Sequence, residues 1–156
     1  MFSKILIPLD GSPESEAALV PALELAKKFD SEVVLLSVTA GYGTILGATA
    51  AESFGSSGAV AAAAAVAEAN EEVASVYLEG VRQSHGTPAW TTVLAEGNSA
   101  EEIVDEARKI GADLIVMATH ARGGLKRFFI GSVSEDVIRK CGIPVLVVHI
   151  DDEADD

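Results

Sequence analysis

Short, nearly unbroken apolar runs alternate along this chain with longer stretches of helical periodicity. Ser3–Leu9, "SKILIPL", is the first run. Asp10-Gly11-Ser12-Pro13 follows as a turn and a helix start, with Ser12 at the cap and Pro13 at the first helical position. Apolar residues then fall at Ala18, Ala22, Leu25, Ala26 and Phe29, one stripe of a helix over Pro13–Phe29. Lys27 and Lys28 occupy its last turn, where the helix dipole favours cations, and Pro21 is expected to kink it. Ser31–Val38, "SEVVLLSV", is apolar almost throughout after Glu32, as in a strand covered on both faces.

The next segment breaks the rhythm. Gly41–Gly58 holds five glycines and is too long and permissive for an ordinary connection, so a mobile loop is expected at about 40–58. Ala59–Gln83 reads as a long helix, alanine-rich in its first half and carrying Val73, Val76, Tyr77 and Val81 in its second. Pro88–Gly97, "PAWTTVLAEG", is the third strand, and Asn98 or Ser99 can cap a helix over Ala100–Ile110 whose Ile103, Val104, Ala107 and Ile110 share a face. "DLIVMAT" is the fourth strand, Ser132–Cys141 another helix and "PVLVVHI" the fifth strand. Strands alternating with helices predict one α/β domain over 1–150, an open five-stranded parallel sheet, doubly wound, with helices on both faces and no internal repeat.

Composition narrows the partners. A chain of 156 residues that is 49% hydrophobic can fill a single core. Its 24 acids against 11 Lys and Arg leave a formal charge of -13, which argues against nucleic-acid or anionic-membrane binding through long-range repulsion. Five of the acids lie in Asp151–Asp156, expected to be a solvated, disordered tail. The lone Cys141 cannot form an intramolecular disulfide and is expected to be buried and reduced; Trp90 is expected in the core or an interface. Met1–Ile7 lacks a signal-peptide core, and the low-charge region Val38–Ala67 is built from small residues unlike a membrane span, so a cytoplasmic location is expected.

Against that acidity, "MATHARGGLKRFFIGSVSEDV" carries His120, Arg122, Lys126 and Arg127 and no acid before Glu135. In open parallel sheets ligands bind outside the carboxyl ends of the strands, which points to the loops after strands one, two and four. Gly131-Ser132 immediately precedes a helix, and Ser132 and Glu135 have capping-box spacing. Unpaired N–H groups of Gly131, Ser132 and Val133, with the Ser132 hydroxyl, can hold a phosphate beside the basic island. Other uses stay open. Ser132 can be only a cap, Lys126 and Arg127 a solvated face, and His120 a hydrogen-bonded loop histidine. Asp10 can shape its turn, accept from a ribose hydroxyl, or hold a Mg²⁺ brought by a nucleotide.

"KILIPLDGS" at 4–12, "DLIVMATHARGGLKRFFIGSVSEDVIRKCGIPVLVV" at 113–148 and the element order between them resemble the universal stress protein family. The resemblance spans the chain except the Gly41–Gly58 segment and the acidic tail. It implies a Rossmann-like, adenine nucleotide alpha hydrolase-like fold with strand order 3-2-1-4-5, and a homodimeric stress-response protein that binds ATP or AMP. By the same resemblance Pro8, Asp10 and Val38 border adenine and ribose, Met117 and Ala118 line the pocket, Ala121 is a place of close backbone approach, and Gly131, Ser132, Val133 and Ser134 meet phosphates; His120 and Arg122 join them as the near members of the basic island. The edge strand Pro144–Val148 is then the dimer seam.

One departure stands out. The family's nucleotide signature, Gly, two residues, Gly, nine residues, Gly-Ser or Gly-Thr, falls here on Ala118, Ala121, Gly131 and Ser132, so both leading glycines are alanines. A methyl at Ala121 crowds the ligand or is harmless if its φ is negative. Two alternatives follow: a nucleotide-free interaction protein whose site is closed by Ala118 and Ala121, or a slow ATP hydrolase. The latter finds no Gly-Lys-Ser P-loop and no acidic pair to support it. A receiver domain is excluded, because its phospho-accepting Asp and its Lys are replaced by Glu96-Gly97 and His149-Ile150.

Overall fold

A computed structural model gives the fold of the chain and describes residues 1–50, 57–85, 89–120 and 130–150. Five parallel strands, β1 (Lys4–Pro8), β2 (Glu32–Thr39), β3 (Thr91–Glu96), β4 (Leu114–His120) and β5 (Val145–Ile150), form one sheet in the order β3-β2-β1-β4-β5. The helices are α1 (Leu19–Phe29), α2 (Tyr42–Ala50), α3 (Ser57–His85), α4 (Ser99–Ile110) and α5 (Ser132–Cys141).

Alternation along the central strands builds two cores. Ile5, Ile7 and Leu9 with Val33, Leu35, Leu114 and Val116 face Leu19, Ala22 and Ala26 of α1, Leu78 and Val81 of α3, and Trp90. Leu6, Val34, Leu36, Ile115 and Met117 face Ile103, Val104 and Ala107 of α4 and Val137 and Cys141 of α5. Successive side chains of a strand point to opposite faces, so an unbroken apolar strand needs helices on both sides. The sheet is therefore doubly wound, as the pattern predicts. Cys141 is buried, its thiol donating to the Ile143 carbonyl at 3.1 Å.

Several elements differ from the sequence reading. The first helical segment opens as a 3-10 turn, Ser15–Ala18, and turns α-helical at Leu19. Pro21 therefore sits in the first turn of α1, close to the point where the segment passes from 3-10 to α-helical. Half of the segment expected as a loop is α2, begun where the Gly41 carbonyl accepts from Thr44 and Ile45. Residues 51–56 and the acidic tail 151–156 lie outside the described residues. β3 starts at Thr91, later than expected. In α3, Val73 and Val76 are 70% and 68% exposed, whereas Leu78 and Val81 are buried.

Local caps fix the ends. Asn98 Oδ1 accepts from the amides of Ala100 and Glu101 at 3.1 and 3.2 Å, so Asn98 is the cap of α4. Asp113, just before β4, takes the Ser3 and Lys4 amides at 2.7 and 3.0 Å and ties the start of β1 to that of β4. Burial opposes charging this carboxylate, but those amides hold it below the usual range. Among the described residues no helix is long and apolar enough to cross a membrane.

Candidate functional site

The sheet opens where the strand order reverses. β1 pairs with β2 as far as Pro8↔Leu36, but with β4 only through Ile5↔Leu114 and Leu6↔Ile115. Hydrogen bonding alternates along β1: the Lys4 carbonyl accepts from Asp113 on the β4 side, and the Leu9 amide donates to Leu36 on the β2 side at 2.7 Å. Pro8 falls in the set facing β4 and has no N–H to offer. The two central strands part there.

A cavity of about 600 Å³ fills the opening. Its floor comes from the strand ends, with Pro8, Leu9 and Asp10 from β1 and its turn, Leu36 and Val38 from β2, and Met117, Ala118 and Thr119 from β4. Its wall is the start of α5, Gly131 to Glu135, with Ser12, Glu14 and Ser15 across from it and Ser99, Ile103, Ile130 and Ile150 completing the lining. Of the residues singled out from sequence, Pro8, Asp10, Val38, Met117, Ala118, Gly131, Ser132, Val133 and Ser134 thus come together. His120 is the last residue of β4, paired with Ile150 through its backbone. Ala121, Arg122, Lys126 and Arg127 lie outside the described residues.

Asp10 is organised by its own turn. The Ser12 amide donates to Asp10 Oδ1 at 2.9 Å and the Ser12 hydroxyl donates to the same oxygen. Ser12 Oγ in turn accepts from the Ser15 amide at 3.2 Å, but the helical segment begins at Ser15 behind Glu14 and not at Pro13, so Ser12 braces the turn and is not the cap expected of it. Partial burial would raise the Asp10 pKa, but hydrogen bonds from Ser12 and Ser15 outweigh it and the carboxyl lies below its ordinary value. It stays ionised at neutral pH.

The α5 terminus departs from the expected capping box. Gly131, with extended φ -52 and ψ 153, is the cap, Ser132 is the first helical residue, and no side chain caps the helix. Glu135 instead pairs with Arg139 at 2.6 Å. The Gly131 amide is not turned to the cavity as a donor either: it donates to Thr119 Oγ1 at 2.8 Å. Ser132, Val133 and Ser134 are left as the first helical amides without an intrahelical carbonyl. Ser134 is only 3% exposed and Thr119 6%.

Sequence reasoning missed Ser15 and Ser99 as lining residues, and reached Ser12 and Thr119 only as members of ligand-facing loops. Thr119 precedes His120 in a strand whose alternation signals only its burial, and nothing in the spacing shows its bond to Gly131 across twelve residues. The carboxylates of Asp10, Glu14 and Glu135 are the charges of the lining among the described residues. The described residues hold no group of three His, Cys, Asp or Glu suited to a metal. Chemically, the cavity offers an apolar slot, an ionised carboxylate and a helix start with hydroxyls beside it.

Comparison with known proteins places this geometry. The family model described as Universal stress protein family matches residues 1–149. Universal stress protein MJ0531 of Methanocaldococcus jannaschii is 37% identical over 151 residues, covering 95% of this chain and 82% of that protein. Universal stress protein YxiE of Bacillus subtilis is 31% identical over 156 residues, covering 96% and 100%. Among solved structures, protein MJ0577 superimposes with a TM-score of 0.68 at 29% identity over 98% of this chain and 99% of its own. A universal stress protein in complex with cAMP, and one from Archaeoglobus fulgidus in complex with dAMP, share the fold at TM-scores of 0.58 and 0.56. Both are 19% identical, covering 95% and 94% of this chain and 97% of each of theirs.

Proposed function

The chain belongs to the universal stress protein family, and from that premise we propose that it is a regulatory protein that binds an adenine nucleotide, ATP or AMP, in the cavity between β1, β4 and α5. One observation carries the reading: an ionised carboxylate, an apolar slot and a helix N-terminus converge on a single opening of about 600 Å³. Pro8, Val38, Met117 and Ala118 supply apolar surface for the base. Asp10 accepts from the ribose hydroxyls, and the amides of Ser132, Val133 and Ser134 with the Ser132 hydroxyl receive phosphate oxygens. The cAMP and dAMP complexes of structural relatives support the ligand class.

The first alanine of the altered motif is compatible with this role. Ala118 lies within β4, and Asp30 is the only non-glycine with positive φ among the described residues, so the Ala118 methyl brings no backbone strain. Asp10 also fits a Mg²⁺ carried on the nucleotide's own phosphates, an ion that ordinarily takes one or two carboxylates beside substrate oxygens. It would neutralise charge there. We place the protein in the cytoplasm, with a second copy paired through the outer edge of β5.

Native mass spectrometry of freshly purified protein tests the reading directly, with an adenine nucleotide expected on the folded chain. Calorimetry with AMP and with ATP should then show binding that Asp10→Ala weakens about tenfold or more, the loss of a charge-assisted pair of hydrogen bonds. No co-purified nucleotide and no heat at millimolar ligand would leave the nucleotide-free interaction protein standing. Single-turnover assays on the same two proteins separate binding from slow hydrolysis.

A further inference from the structure

α3 carries two apolar stripes, and the fold uses only one of them. Leu78 and Val81 are buried against the sheet, with Tyr77 beside them donating to Glu16 Oε1 at 3.1 Å, and Ala63 is buried nearer the start of the helix. The second stripe, Ala62, Val66, Ala69, Val73, Val76 and Gly80, repeats at alternating spacings of four and three, and every member is exposed. Val66, Val73 and Val76 are 47%, 70% and 68% exposed. That alternation is the heptad seam by which one helix packs along another, here sustained over about 27 Å of helix. Exposed valines of this kind contribute nothing to the core they face away from, and an extended apolar strip in solvent marks a contact surface.

The small members shape the seam. A β-carbon at Gly80 would meet nothing within 4 Å, so the helix is notched there. Glu16, Val76, Gly80 and Ser84 border a shallow cavity of about 320 Å³ at that end, wide enough for an apolar side chain to enter. Alanines at Ala62 and Ala69 let a second helix approach closely.

Charge decides what that helix is. Glu72 and Glu79 stand one residue before Val73 and Gly80, on the flank of the seam, and Glu68 and Glu71 add to the field. Arg82 is the one Lys or Arg in α3, and Glu79 already engages it. A second copy laid antiparallel would set this acidic flank against itself, in a chain of formal charge -13. We propose that this face of α3 docks an amphipathic helix of a partner protein whose apolar residues repeat at three and four and whose flanks carry Lys or Arg.

The test titrates the full chain into a fluorescent three-heptad peptide with Leu at the seam positions and Lys at the flanks, and into a copy with Glu at the flanks. The Lys peptide is expected to bind and the Glu peptide to bind at least tenfold more weakly. Val66→Glu and Val73→Glu separate docking from charge, because each makes the protein more acidic: attraction by net charge alone strengthens, whereas docking on the seam weakens at least tenfold. Both sites are exposed, and Val73→Ser with an unchanged melting curve guards against unfolding. Failure of the Lys peptide to bind, or equal or tighter binding by the Glu variants, overturns the proposal. So does concentration-dependent sedimentation of the chain alone that Val73→Glu abolishes, which would make a second copy the occupant.

Discussion

The Thr119 hydroxyl oxygen lies 2.8 Å from the Gly131 amide nitrogen, and the same oxygen lies 2.8 Å from where a β-carbon on residue 131 would stand. Thr119 therefore holds the start of α5 against β4 by one hydrogen bond, and does so at a range that leaves room for glycine alone. The glycine is needed for space and not for its backbone freedom, because φ at 131 is negative.

Gly131→Ala should therefore destabilise the fold by about 1 to 3 kcal/mol, the usual cost of overpacking a buried contact. Thr119→Ser keeps the acceptor and should cost less than Thr119→Val, which strands the Gly131 N–H. Combining Gly131→Ala with Thr119→Ala should cost less than the sum of the two, since the second removes the obstacle met by the first. Urea unfolding of the four variants and the double variant measures this.

Asn98→Ala should lower stability by about 1 kcal/mol through loss of both capping contacts to α4, whereas Ser99→Ala should change it little. Equal effects at the two positions in thermal or urea melts would place the cap elsewhere.

Asp113 gives the fold an acid limit. Its carboxyl is held low in the folded state by the Ser3 and Lys4 amides. The stabilisation is complete above the unfolded-state pKa of about 4 and is lost as pH falls through the lower folded value. Asp113→Asn should reduce stability at neutral pH and flatten its decline below about pH 4; an unchanged slope in acid denaturation would contradict the assignment.

Leu78→Ala should cost about 2 to 5 kcal/mol, because Leu78 is fully buried where α3 meets the sheet. Val73→Ala, on the same helix and 70% exposed, should lie within about 0.5 kcal/mol of the parent. The pair checks by calorimetric melting which stripe of α3 belongs to the core.

The two helical layers and the first turn were legible because each rests on a local signal, whereas the strand order and the residue-by-residue site came only with the family resemblance. Unbroken apolar strands demand two helical layers, and Asp10-Gly11-Ser12-Pro13 encodes its turn within a few residues, although the helical segment begins later, at Ser15. Asn98 and Ser99 were equivalent by type, and only the backbone at Asn98 could choose between them. Ser132 and Glu135 had the spacing of a capping box, yet Glu135 found Arg139 one turn on and left the cap to Gly131. Val73, Val76, Tyr77 and Val81 read only as apolar members of one helix, because hydrophobicity alone does not say which of two stripes meets the sheet. α2 was hidden by its glycines, which lower helix propensity without forbidding a helix. The bond of Thr119 was invisible for a different reason: it joins residues far apart along the chain.

Pro8 has a further consequence for the ligand. Because a missing donor keeps β1 and β4 from zipping together, the mouth between them is a permanent fork in the sheet, standing open before anything arrives. A guest entering it need not prise strands apart, so little of its adhesion is spent on reshaping the host. Restoring a donor at that one position would let β1 and β4 pair one step further and narrow the vestibule from its floor.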